Sequence, residues 1–195
     1  MKFIGFYDYT VILTYLSLMS AFVGMCLAKQ GSFTGAIVCL LLSGICDAFD
    51  GTVARSKKNR TEDEKAFGIQ LDSLCDVISF GVFPAFLCHC MGVRGPVGVA
   101  LLALYCVSAV IRLAFFNVQE AKRQQVEDGC GKEYRGLPVT TMSMILPFVY
   151  LIRRVFPKKI FGILLYILPA LVGFLFILDF RVKKPDMKKL FSRHS

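Results

Sequence analysis

Apolar residues fall in long blocks along this chain, separated by short polar stretches. Six blocks approach the roughly 20 apolar residues that a bilayer-spanning helix requires. They cover residues 9–28, 34–55, 68–90, 97–117, 138–156 and 160–180. The pattern therefore predicts an all-α integral membrane protein with six transmembrane helices. It also predicts a single membrane domain over residues 1–195 that ends in a basic tail over 181–195.

The composition agrees with this interpretation. Hydrophobic residues make up 55% of the 195, and the mean hydropathy is +0.60, more than a soluble domain usually shows. Seven of the eight cysteines lie inside the apolar blocks, so we expect buried apolar side chains and no disulfide framework. His89, between Cys88 and Cys90, has no second cluster beside it, which argues against a metal site there.

The net charge of +9 indicates loops that face an anionic membrane surface. We do not expect nucleic-acid binding, because the apolar blocks leave no room for a soluble nucleic-acid-binding domain. Most Lys and Arg residues lie in loops that share one side if both termini are cytoplasmic. This predicts an inner-membrane protein with its functional stretch on the cytoplasmic side. The basic cluster from Arg153 to Lys159 has no assigned role and would lie on the opposite side.

Four aspartates lie at the ends of two apolar blocks. Asp47 and Asp50 are spaced i, i+3, and Asp72 and Asp76 are spaced i, i+4, so each pair shares one helix face. A carboxylate close to hydrocarbon is costly and marks a functional site by default. Four converging carboxylates require neutralisation by protons or cations. Hard oxygen ligands suit Mg²⁺ or Mn²⁺, which also bind substrate phosphates.

The pattern around the aspartates resembles a known signature. It reads Asp47-x2-Asp50-Gly51-x2-Ala54-Arg55, then Gly68-x3-Asp72-x3-Asp76, and is similar to that of the CDP-alcohol phosphatidyltransferases. Twelve residues separate Arg55 from Gly68, four more than in the common form of the signature. Because four residues amount to about one helical turn, we expect the insertion to leave the aspartates facing each other.

The resemblance implies a reaction and roles for residues at matching positions. The reaction is transfer of the phosphatidyl group of CDP-diacylglycerol to an alcohol, with release of CMP, by a homodimer of six-helix protomers. Two divalent cations would be held by Asp47, Asp50, Asp72 and Asp76, and Asp76 would also serve as the catalytic base. The resemblance places the CDP-diacylglycerol pocket at Thr14, Gly51, Ala54, Arg55 and Gly68.

Two further stretches resemble the compact phosphatidylserine synthases within this family. They are LDSLCDVISFGVFPA from Leu71 and RLAFFNVQ from Arg112, the latter continuing to YRGLPVTT. This resemblance implies L-serine as the acceptor, with Arg112 and Asn117 as acceptor-binding residues. Phe115 stands where those proteins usually have a second Arg, and Val11 where the first helix often has an Asn.

Alternatives remain open at this point. The acceptor could be glycerol phosphate or inositol phosphate, although these substrates would favour more than one basic group near Arg112. A divalent-cation carrier would use the same carboxylates, but it gives no role to Gly51, Ala54 and Arg55. For the glycines near the aspartates, helix packing and close approach of a ligand are both consistent with the sequence.

Overall fold

The computed structural model describes residues 5–7, 9–57, 61–125, 133–153, 155, 157–179 and 181–183. Helices dominate this part of the chain. They are α1 (Ile12–Lys29), α2 (Phe33–Ser56), α3 (Glu62–Asp76), α4 (Phe83–Met91), α5 (Gly95–Gln125), α6 (Met142–Ile152) and α7 (Lys158–Ile177). Short 3-10 turns precede α1 at Tyr9–Val11 and α6 at Val139–Thr141, and a π-helical turn, Val77–Val82, joins α3 to α4.

Five helical stretches within the described residues are long and apolar enough to cross a membrane. They are Tyr9–Lys29, Phe33–Ala54, Glu62–Met91, Gly95–Gln119 and Lys158–Ile177. The remaining predicted span, 138–156, corresponds to the shorter apolar helix Val139–Ile152. The structure therefore confirms a predominantly helical membrane-type architecture and shows five candidate spans in the described residues, against the six predicted.

One detail departs from the all-α prediction. A short strand β1 (Glu133–Arg135) pairs antiparallel with β2 (Arg181–Lys183). The segment predicted as the start of a basic tail is thus tied to the connection between α5 and α6. The rest of that tail, residues 184–195, lies outside the described residues.

The α1–α2 hairpin forms through small side chains. Ala21, Ala28 and Ala36 are buried where the two helices pack, and Gly24 brings α1 close to α4. A Cβ atom on Gly24 would lie 2.2 Å from the Phe83 ring. Close approach through small residues is the usual way that membrane helices associate, because lipid offers no hydrophobic drive between them.

Helix α3 begins earlier than predicted. The sequence placed its start at Gly68, but the helix starts at Glu62 behind an N-cap at Thr61. The Thr61 hydroxyl accepts from the Glu64 backbone N–H at 3.2 Å, and the Glu64 carboxylate accepts from the Thr61 N–H at 2.9 Å. This capping box satisfies two N–H groups that otherwise lack helical partners. The acidic residues 62–64, which precede the predicted start at Gly68, are therefore the first turn of α3.

The π-helical turn follows directly after Asp76. Its wider winding is seen in the hydrogen bond from the Phe83 N–H to the Ile78 carbonyl, five residues back. The turn and α4 supply some of the most buried side chains, including Phe80, Phe83 and Leu87. They pack against α1 and α5, so the helix that carries Asp72 and Asp76 continues directly into the core.

Candidate functional site

Carboxylates from α2 and α3 converge at one place. One oxygen each of Asp47, Asp50 and Asp72 lies within 4.8 Å of the other two. Asp76 is buried, with 8% of its surface exposed, and its carboxyl group contacts that of Asp47, while Asp50 contacts Asp72. The i, i+3 pair on α2 therefore faces the i, i+4 pair on α3.

The donor set fits a divalent cation. The Asp72 Oδ1 atom is buried and has no hydrogen-bond partner among the described residues. A buried carboxylate oxygen without a partner is costly, and a cation between the helices would satisfy it. All the candidate ligand atoms are carboxylate oxygens, which Mg²⁺ and Mn²⁺ favour.

Helix α1 contributes a hydroxyl to this cluster. Thr14 is buried, and its Oγ1 donates to the Asp50 Oδ2 at 3.4 Å. The contact ties Asp50 to a third helix, in addition to α2 and α3. Thr14, which the family resemblance places in the substrate pocket, thus contacts one of the clustered carboxylates directly.

A layer of serines lies one helical turn deeper. The Ser17 hydroxyl donates to the Ser43 carbonyl at 3.2 Å, and the Ser43 hydroxyl donates to the Ser17 carbonyl at 2.9 Å. Ser17 also reaches the Ser79 hydroxyl in the π-helical turn, at 3.4 Å. All three serines are buried. These bonds fix α1, α2 and the π-helical turn relative to one another directly behind the aspartates.

The serine layer was not identified from the sequence. A signal was available, because Ser43 precedes Asp47 by four residues and Ser79 follows Asp76 by three. Ser17 likewise follows Thr14 by three. Each serine therefore shares a helix face with a site residue one turn away.

The small residues of the signature have different surroundings. Gly51 and Ala54 lie near the end of α2 and Gly68 lies inside α3, all half-buried. Gly44 serves helix packing, since a Cβ atom there would lie 2.2 Å from the Ser143 Oγ of α6. Arg55 is in the last turn of α2, and its side chain lies outside the described part of the structure.

The two predicted acceptor residues lie on α5 but contact different elements. The Ser73 hydroxyl donates to the Asn117 Oδ1 at 2.8 Å, which joins Asn117 to the residue that follows Asp72. The Arg112 Nε donates to the Leu137 carbonyl at 3.0 Å, and its guanidinium lies against Gly136. The contacts of Asn117 thus reach α3, whereas those of Arg112 reach the segment before α6. Phe115 is exposed.

Comparison with known proteins identifies the family to which the chain belongs. The sequence model of the CDP-alcohol phosphatidyltransferases matches residues 9–177. An archaetidylserine synthase from Methanothermobacter thermautotrophicus is 33% identical over 141 residues, 72% of this chain and 56% of the relative. A CDP-diacylglycerol–serine O-phosphatidyltransferase from Saccharomyces cerevisiae is 37% identical over 128 residues, 63% of this chain and 45% of the relative.

A protein of the same printed name from Methanocaldococcus jannaschii is 29% identical over 171 residues, 87% of this chain and 72% of the relative. The chain spans about half the length of the first two relatives. The family match, in contrast, covers nearly all of the described residues and includes all four aspartates. The chain belongs to the CDP-alcohol phosphatidyltransferase family.

Proposed function

We propose that this protein transfers the phosphatidyl group of CDP-diacylglycerol to the hydroxyl of L-serine, giving phosphatidylserine and CMP. The observation that carries the proposal is the convergence of Asp47, Asp50 and Asp72 between two candidate spans. The buried Asp72 Oδ1 has no hydrogen-bond partner in the part of the chain that the structure describes, which adds to this support. The names of the relatives support serine as the acceptor.

The aspartates would hold two divalent cations, Mg²⁺ or Mn²⁺. Divalent cations bound there would neutralise the charge of the pyrophosphate and would favour departure of CMP. Neighbouring side chains determine where the carboxylates lie. Thr14 orients Asp50, and the reciprocal bonds between Ser17 and Ser43 hold α1 against α2, so the carboxylates are positioned before substrate arrives.

Asp76 is the proposed general base. Its carboxylate takes the proton from the serine hydroxyl, whose oxygen forms the new bond to the phosphatidyl phosphorus. The bond from that phosphorus to the CMP oxygen breaks, and CMP leaves with the electron pair. Asp76 is the most buried of the four aspartates and the last along α3, which supports this role.

Arg112 and Asn117 are proposed to bind the serine acceptor. A guanidinium is the natural bidentate partner of a carboxylate, and the bond from Arg112 Nε to the Leu137 carbonyl fixes its plane. The bond from Ser73 to Asn117 Oδ1 fixes the side-chain amide beside α3. The amide NH₂ of Asn117 then supplies donors next to the acidic cluster. Gly51, Ala54, Arg55 and Gly68 are proposed to shape the CDP pocket, as in the family signature.

An apolar groove beside the acidic site is suited to an acyl chain of the lipid substrate. A cavity of about 590 Å³ lies between α1 and the π-helical turn and is lined by apolar side chains, including Leu18, Phe22, Ile78 and Val82. Leu18 is one helical turn from Thr14, and Ile78 is two residues from Asp76. We assign this groove to an acyl chain of CDP-diacylglycerol, whose headgroup reaches the aspartates.

The membrane arrangement completes the proposal. Six spans result if Val139–Ile152 crosses together with the five longer stretches. We place both termini and the acidic site on the cytoplasmic side of the inner membrane, because most Lys and Arg residues would then lie on that side. The family resemblance supports a homodimer.

The test is an acceptor panel with purified protein in nanodiscs. CDP-diacylglycerol, Mn²⁺ or Mg²⁺ and one alcohol are supplied, and CMP release is measured with serine, glycerol phosphate or inositol phosphate. We expect release with serine and loss of release on chelation of the metal. Release only with a phosphorylated acceptor would contradict serine specificity. Absence of release with all three, combined with metal uptake into sealed vesicles, would favour the cation carrier.

A further inference from the structure

The π-helical turn Val77–Val82 separates the aspartate helix from the core helix α4. Asp76 is the last residue before the turn, and Pro84 follows it closely. Proline has no backbone N–H, so residue 84 cannot donate to the Phe80 carbonyl as an α-helix would require. Within a membrane protein, a buried carbonyl without a donor is costly. The α-helical donor to the Phe80 carbonyl is therefore missing, and a donor from another helix can take its place.

Tyr105 of α5 supplies that donor. Its hydroxyl donates to the Phe80 carbonyl at 2.6 Å, and the neighbouring Cys106 thiol lies 3.7 Å from the Gly81 carbonyl. Tyr105 is 1% exposed. The two carbonyls at the centre of the turn thus face α5, and the shorter contact comes from the tyrosine.

The Tyr105 ring packs against α7. Its centroid lies 5.6 Å from that of Phe176 on α7, and a Cβ atom on Gly173 would lie 3.3 Å from the Tyr105 Cα. The close packing of α5 on α7 therefore determines where the hydroxyl points. The phenol acts as a fixed support and not as a flexible surface group.

A change in the turn would act on the aspartates. A π-helical turn holds one residue more than an α-helical turn, so its conversion would rotate one flanking helix by about 100°. Phe83 and Leu87 of α4 are completely buried, which fixes α4 in the core. The rotation would therefore fall on α3 and move Asp72 and Asp76 away from Asp47 and Asp50.

We propose that Tyr105 is a positioning residue that maintains the π-helical turn and so keeps Asp72 and Asp76 facing the aspartates of α2. The inference rests on the proposed function, because it assigns Tyr105 to the same metal site. Tyr105 does not contact the reacting groups; it acts through the Phe80 carbonyl. Loss of its hydroxyl should weaken metal binding without removing a ligand.

Mn²⁺ binding tests the proposal without relying on activity. Wild-type protein and Tyr105→Phe in nanodiscs are titrated with Mn²⁺, and free Mn²⁺ is measured by electron paramagnetic resonance. We expect the Kd for Mn²⁺ to rise roughly 10–100-fold, as for loss of a group that orients metal ligands. Tyr166→Phe is the matched control, because the Tyr166 hydroxyl bonds the backbone of Arg94, at the α4–α5 connection. It should retain the wild-type Kd even if its thermal midpoint falls.

The outcomes separate the two proposals. A wild-type Kd for Tyr105→Phe would overturn the role of Tyr105 and leave the metal site intact. Wild-type protein that binds no Mn²⁺ would refute the proposed function and, with it, this inference. If Tyr105→Phe does not fold, Pro84→Ala retains the tyrosine but offers the Phe80 carbonyl an α-helical donor. That variant should also bind Mn²⁺ more weakly, and unchanged binding would overturn the role of the turn.

Discussion

The acidic site and the surroundings of Arg112 differ in how they are assembled. Asp47 and Asp50 on α2 meet Asp72 and Asp76 on α3, because each helix presents its pair on a single face. Arg112 and Asn117 are five residues apart on α5, which separates their directions by about 140° around the helix axis. They consequently reach different neighbours, Leu137 and Ser73. Paired spacing on two helices predicted that the aspartates converge, whereas the spacing of Arg112 and Asn117 on one helix did not indicate which neighbours they contact.

The largest expected effect is at the acidic site. We expect Asp76→Asn to lower kcat about 10²–10⁴-fold while nucleotide binding is retained, because the amide cannot accept the serine proton. CMP release and equilibrium binding of a CDP-lipid analogue provide the two measurements. Asp63→Asn, an exposed position in the first turn of the same helix, is the control and should be nearly as active as wild type. Full activity of Asp76→Asn would remove Asp76 as the base.

A second prediction concerns Arg112. Replacing it by Ala should raise the KM for serine roughly 10–100-fold, the range for a lost charged hydrogen bond, and raise the KM for CDP-diacylglycerol much less. Steady-state kinetics with each substrate varied in turn measures both constants. Arg94→Ala, an exposed arginine between α4 and α5, should alter neither. Equal increases in the two KM values would assign Arg112 to structure alone.

A third prediction concerns Gly136, which lies against Arg112, and uses the smaller change Gly136→Ala. Its backbone φ is +70°, and a Cβ atom there would lie 3.3 Å from the Arg112 Cζ. Gly136→Ala should displace the guanidinium and raise the serine KM by about 2–10-fold, corresponding to roughly 1 kcal/mol of strain. Gly95→Ala is the matched control, because Gly95 has φ +77° but nothing within 4 Å of its Cβ position.

The double variant Gly136→Ala, Arg112→Ala sharpens this test. If the glycine acts through the arginine, the two effects on serine KM should not add, because both changes remove the same interaction. Additive effects would instead show that Gly136 influences the acceptor independently of Arg112. Thermal midpoints of all variants identify any loss of stability.

An effect as small as that of Gly136→Ala is expected at Thr14. Thr14→Val removes the 3.4 Å hydrogen bond to Asp50 but keeps the shape of the side chain. We expect the Mn²⁺ concentration for half-maximal CMP release to rise about 2–10-fold, because one long hydrogen bond contributes roughly 0.5–1.5 kcal/mol. Thr34→Val is the control, since it breaks the bond between α2 and α6 at Tyr150 and should leave the metal requirement unchanged. An unaltered requirement in Thr14→Val would exclude Thr14 as an orienting residue.

Much of the architecture could be predicted from the chain because it depends on local periodicity. Lengths of apolar blocks located the five candidate spans and the shorter helix Val139–Ile152 to within a few residues, apart from the start of α3. There, the capping box of Thr61 and Glu64 outweighed the apparent polarity of residues 62–64. Helical spacing also indicated that the aspartates would share faces. The resemblance to the family signature added the chemistry that we propose for this geometry.

Other features required the folded structure. Proline at residue 84 was visible in the chain, but the donor that compensates for it, Tyr105, lies 25 residues away from Phe80 and on another helix. The same holds for the bonds between Ser17 and Ser43 and for the contact of Arg112 with Leu137. Sequence by itself determined which side chains each helix presents on one face, because that follows from 3.6 residues per turn. Only the tertiary structure decided which faces meet, because that depends on packing between helices distant in the chain.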